Sequence, residues 1–89
     1  MAHTLSAKKR IRQNATRRAR NRWRLRQMRV ALKAFQVACA SGDASQADQA
    51  LREASQIVDK TAQKGVIHRN QASRRKSRMS ARVKALKAG

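Results

Sequence analysis

An all-α chain, folded as a three-helix bundle whose long basic first helix overhangs the other two, is what three features of the sequence predict. Proline is absent, 17 alanines stand among abundant Arg, Gln and Leu, and glycine occurs only at positions 42, 65 and 89. Those are strong helix formers, so the glycines act as punctuation between helices. Apolar residues then recur at three- and four-residue spacing, the period of a helix with one buried face.

Helix one is expected over about 6–41. Ser6 is a suitable N-cap, and Gly42 can supply the left-handed residue that follows a helix end. Leu25, Met28, Leu32, Phe35 and Cys39, with Ala31 and Ala38 beside them, form a bundle seam. Cys39 reads as a small core hydrophobe. Upstream, Ala7, Ile11, Ala15, Ala19 and Trp23 fall every fourth residue, a stripe that drifts round the helix and buries little. Trp23, where this stretch meets the seam, is expected to pack on the core edge in preference to stacking on a ribose or base.

Helix two is expected over about 44–64. Asp43, with Gln46 three residues on, is a capping-box-like start, and Asp48 is placed to pair with Arg52 one turn later. Ala47, Ala50, Leu51, Ala54, Ile57, Val58 and Ala62 make its apolar face as far as Gly65. Helix three is expected over about 67–88, beginning between Ile67 and Asn70, with Ala72, Met79, Val83 and Leu86 on one side. At 1.5 Å per residue helix one reaches roughly 50 Å and the others about 30 Å, so about a third of helix one overhangs.

The charge is as distinctive as the helices. The 89 residues hold 23 Lys and Arg against 4 Asp and Glu, a formal net charge of +19. Residues 1–40 contribute 12 basic and no acidic groups, 41–64 contribute 3 and 4, and 65–89 contribute 8 and none. The acid-free start resembles a mitochondrial transit peptide, but the pattern returns after 65, where a transit peptide would have ended. In the overhang Lys8, Lys9, Arg10, Arg12, Arg17, Arg18, Arg20, Arg22 and Arg24 crowd every side. Like charges at i,i+3 and i,i+4 destabilise a free helix, so this arm is expected to fray alone and to order on a polyanion.

Other function classes find little support. One Cys, with His3 and His68, makes neither a disulfide framework nor a zinc site. No metal and no other cofactor is expected, and no small-molecule substrate. The carboxylates Asp43, Asp48, Glu53 and Asp59 lie in one segment with structural roles to hand, and no phosphate loop or metalloprotease spacing occurs, so the chain is not read as an enzyme. No apolar run approaches the length of a membrane span, and no secretory h-region opens the chain, so a soluble intracellular protein is expected.

Charge on all sides of a helix, unmatched by acid, calls for phosphates. Arg predominates in the arm, and its planar fork suits bidentate phosphate contacts and stacking on bases. Gln13, Asn14, Thr16 and Asn21 can add hydrogen bonds to sugar or phosphate. A basic helix in a DNA major groove usually forks from a dimer, and no zipper follows this arm. Shape-dependent binding to folded RNA fits better, because the deep RNA groove excludes reading side chains and favours phosphate tracking. A DNA-compacting architectural protein is the alternative; a membrane-active cationic helix has too little apolar face here.

Ser6-Ala7-Lys8-Lys9-Arg10 and the run from Lys64 through Gly65, His68, Arg69, Asn70 and Arg74 to Ser77 resemble the bacterial small-subunit ribosomal protein S-twenty family. Asn21, Arg24, Arg29 and Lys33, the Gly42-Asp43 turn, and Val58-Asp59 with Ala62 extend the resemblance along nearly the whole chain. The resemblance implies a three-helix bundle in the cytoplasm, on the ribosome, with few protein contacts. It further implies direct, early binding to the 5′ domain of small-subunit (16S) ribosomal RNA and contact with that RNA's long penultimate helix. Position by position it points to Lys8, Lys9, Arg10, Asn21, Arg24 and Arg29 on helix one, and to His68, Asn70, Arg74 and Lys76 on helix three. Arm charge and motif add Arg12, Asn14, Arg17, Arg18, Arg22, Arg69, Arg75 and Ser77 to the RNA-binding set. Arg69 stands where the family usually has Lys, Met79 where it has Leu, and Trp23 is no usual family residue.

Overall fold

A computed structural model describes residues 4–88; Met1 to His3 and Gly89 lie outside the described residues, and with them the histidine considered above at position 3. Three helices follow in order: α1 Leu5–Ala40, α2 Ala44–Gln63 and α3 Arg69–Ala88. The all-α, long-first-helix architecture is the expected one.

The helix ends show how the chain is punctuated. α1 starts earlier than expected, because Thr4 caps it in place of Ser6: the Thr4 hydroxyl accepts from the Ala7 N–H at 3.3 Å. At its other end Gly42 is left-handed, φ 80°, and its N–H donates to the Cys39 carbonyl. The Ser41 hydroxyl completes this end, donating to the Ala38 carbonyl at 2.6 Å and accepting from the Asp43 N–H at 3.4 Å. Asp43 then caps α2, accepting from the N–H groups of Ser45 and Gln46.

α2 ends in a Schellman motif. The Val66 N–H donates to the Thr61 carbonyl, the Gly65 N–H to the Ala62 carbonyl, and Gly65 has φ 76°. A Cβ at Gly65 would meet nothing within 4 Å, so the whole cost of replacing it is the left-handed backbone. Gly65→Ala is therefore expected to destabilise by about 1–2 kcal/mol, read as a lower Tm in circular dichroism; an unchanged Tm would contradict this account of the turn.

The core is small and centred on α2, which packs on both α1 and α3 while those two scarcely meet. Ala47, Ala54 and Val58 of α2 are completely or almost completely buried. Their short side chains let Met28, Phe35 and Cys39 approach from one flank, and Ala72, Met79 and Val83 from the other. Thr61 is buried too, with its hydroxyl donated to the Ile57 carbonyl at 2.7 Å. The expected seams of all three helices are the ones buried.

One expected pair is not formed. Asp48 reaches across to Lys87 of α3 at 2.7 Å and not along its own helix to Arg52. Asp48 is only half-exposed whereas Arg52 is exposed, so the carboxylate lies on the border facing α3. With Lys76–Asp59 at 2.8 Å, it makes both ion pairs among the described residues fasten α3 to α2.

Overall extents of 64 × 21 × 14 Å and a radius of gyration of 17.8 Å mark an elongated molecule. A compact chain of this length would have a radius near 12 Å. The excess is the arm, since α1 has 36 residues against 20 in each of the other helices.

Candidate nucleic-acid interface

Between Leu5 and Trp23 every described side chain is exposed except that of half-buried Ala7. The nine cations at positions 8, 9, 10, 12, 17, 18, 20, 22 and 24 are spread round this helix. At about 100° per residue they leave no sector wider than roughly 80° without one. None pairs with a carboxylate. Thr16 is less available than expected, its hydroxyl hydrogen being donated to the Arg12 carbonyl at 3.0 Å. Asn14 and Asn21 are exposed on the same arm, and Arg29 lies exposed on the outer side of the bundle segment.

The second basic surface is on α3. Because consecutive helices reverse direction, α3 runs parallel to α1, and its start lies at the end of the bundle from which the arm leaves. His68, Arg69 and Asn70 thus share that end with Arg24. His68 is itself the cap of α3: its Nδ1 accepts from the Asn70 N–H at 3.1 Å and its carbonyl accepts from Gln71 and Ala72. The side chain is otherwise exposed. The ring thus serves the backbone at the start of α3.

The buried face of α3 divides its cations into two sets. On the α2 side stand Lys76 and Lys87, both ion-paired. Lys76 is therefore the one predicted contact residue whose charge is already matched. On the α1 side stand Arg75, Arg78 and Arg82, none paired, and the Arg75 Nε–H is buried with no partner among the described residues. Arg74 and Ser77 are exposed on the outer face with Asn70.

Those three arginines explain why α1 and α3 stand apart. They occupy positions i, i+3 and i+7, where a closed bundle would carry apolar residues. What results is a groove of about 200 Å³ floored by Leu32, Phe35 and Met79, with Gln36 opposite. Sequence reasoning passed over Arg78 and Arg82; their spacing of three and seven residues from Arg75 was the signal.

Trp23 corrects an expectation. It is 57% exposed and does not close the core edge. It lies well round the helix from the Met28–Phe35–Cys39 seam, forming with Arg24 and Gln27 one wall of a slot whose other wall is Ile57, Lys60 and Thr61.

Among the described residues no three His, Cys, Asp or Glu groups gather as a metal site, and no helix is long and apolar enough to cross a membrane. The arrangement consists of unneutralised cations, hydrogen-bond donors and one exposed indole. It can bind anions and stack on planar rings.

The family model described as Ribosomal protein S20 matches residues 2–84. A protein of Nitrosomonas europaea named small ribosomal subunit protein bS20 is 49% identical over 86 residues, covering 97% of this chain and 99% of its own length. Proteins of the same name from Beijerinckia indica and Koribacter versatilis are 50% and 51% identical, over 97% and 96% of this chain and 99% and 96% of theirs.

Proposed function

The chain belongs to the ribosomal protein S20 family of structural, non-enzymatic small-subunit constituents, and from that premise we propose that it binds 16S ribosomal RNA directly and aids its folding. The carrying observation is the arm: nine unpaired cations spread round a helix that runs on into a small bundle. Such a helix is suited to lie between RNA segments and neutralise phosphates on several at once. The RNA's 5′ domain is the first target and its long penultimate helix the second. Lys8, Lys9, Arg10, Arg12, Asn14, Arg17, Arg18, Asn21, Arg22, Arg24 and Arg29 act from α1, and His68, Arg69, Asn70, Arg74, Arg75, Lys76 and Ser77 from α3. Lys76 takes part only by sharing or releasing Asp59, a rearrangement of small cost because both groups are substantially exposed.

The work is done by charge and shape, not base reading. Ordering the arm brings together RNA elements whose mutual repulsion opposes folding. The ribosome is the place of action, in bacteria the cytoplasm.

The test is competition: labelled 5′-domain RNA and protein, challenged with excess duplex DNA and with an unrelated folded RNA across a salt series. Retention by the 5′ domain at high salt is the expected result. Equal loss to every competitor would replace this reading with non-specific architectural binding. Within the same assay, Arg74→Ala should weaken binding and flatten the salt slope by about one unit or less, and an unchanged slope would remove Arg74 from the contact surface.

A further inference from the structure

The chain's one tryptophan, Trp23, is 57% exposed on the most basic part of the molecule. Its position is a structured one. The slot it borders, about 160 Å³, lies where the arm leaves the bundle, with Ile57 and Thr61 of α2 opposite. Arg24 and Lys60 stand on the two sides, Gln27 offers an amide, and no carboxylate lines the slot. The volume is below the range of drug-sized ligand pockets and suits one planar ring system.

The occupant's chemistry follows from these walls. An indole face and an aliphatic wall favour a flat, polarisable ring. An amide can meet the edge of such a ring with both a donor and an acceptor. Two flanking cations favour a ring that carries negative groups on both sides. A nucleobase between two backbone phosphates has all three properties, whereas an acidic peptide supplies charge without the ring.

We propose that the slot between Trp23 and the last turns of α2 takes one unstacked RNA base, stacked on the indole, with its flanking phosphates on Arg24 and Lys60. This rests on the RNA-binding reading above and adds to it a specific pocket, one that holds the arm's root in register on a bulged or looped nucleotide. Trp23 is a binding residue that phosphate tracking does not require, and aromatic stacking of this kind accepts any base.

Because the chain has no second tryptophan, its fluorescence reports this slot alone. Full-length protein would be titrated with a labelled oligouridylate hexanucleotide, an abasic ribose-phosphate hexamer of equal charge, and a glutamate-rich peptide. Anisotropy reads binding and tryptophan emission reads stacking. The hexanucleotide is expected to quench emission saturably and to bind about fivefold or more tightly than the abasic hexamer. Trp23→Leu should abolish that preference, Trp23→Phe should largely restore it, and neither should alter abasic binding; helicity by circular dichroism verifies both folds. Equal affinity for the two hexamers, binding without quenching, or quenching by the peptide alone would each overturn the proposal. If 5′-domain RNA is still retained at high salt in those cases, the proposed function stands and only the base slot fails.

Discussion

Replacing Arg17, Arg18, Arg22 and Arg24 together with glutamine is expected to cost about three decades of affinity for the 5′-domain RNA at 0.1 M salt, and to flatten the salt slope by about three units. Each neutralised phosphate releases roughly 0.7–0.9 of a counterion, so four lost contacts remove about three from the exponent. Glutamine keeps nearly the helix propensity of arginine, so the arm's backbone preference is little changed. The free protein should respond in the opposite direction. Arg18 with Arg22, and Arg20 with Arg24, are i,i+4 like-charge pairs, each opposing the helix by about 0.2–0.5 kcal/mol, and the variant relieves both. Amide exchange of residues 6–24 in free protein should therefore slow while binding weakens. Unmodified arm amides should gain their protection only on adding RNA. An affinity loss under tenfold, or equal protection with and without RNA, would show that the arm is not where RNA is held.

α2 was the most readable part of the sequence, because its signals are local. Asp43 and Gly65 mark its ends by chemistry that acts within a turn, and Ala47, Ala54 and Val58 repeat on one face that has only core to meet. What local reading missed lies between helices. Asp48 has a cation one turn away in Arg52, yet the partner is Lys87, thirty-nine positions on, since the carboxylate sits on the border with α3. His68 caps α3 through a ring nitrogen, an arrangement outside the usual Ser, Thr, Asp and Asn preference.

The interface divided in the same way. The arm's charges needed no tertiary information, because nothing packs on them. Arg75, Arg78 and Arg82 read in the sequence as three basic residues among many, and only the placement of α1 makes them one side of a groove. Trp23 failed as a core residue for a geometric reason. A residue four positions after another lies about 40° further round the helix, so the stripe begun at Ala7 has turned away from the core by the time it reaches Trp23.

Phe35→Ala is the substitution expected to damage the fold most. Phe35 is 3% exposed, and it is the sole phenylalanine in a chain whose one other aromatic residue faces solvent. Removing a buried aromatic ring costs about 3–5 kcal/mol, against a total stability of roughly 4–13 kcal/mol for a domain of this length. The position offers little relaxation: the neighbouring α1–α3 groove is rimmed by Arg75, Arg78 and Arg82, whose mutual repulsion resists collapse into the vacated space. Thermal unfolding by circular dichroism should show Tm lowered by roughly 15–30 °C. RNA that binds only the folded form stabilises it by mass action, so the variant's helicity should return as 5′-domain RNA is added, and its apparent affinity should fall by the fraction of protein that is folded when free. The salt slope, set by phosphate contacts that Phe35 does not make, should be unchanged. A Tm drop of only a few degrees would mean that the ring is not central to the core, and a reduced slope would mean that losing the ring also displaces cations that meet phosphates.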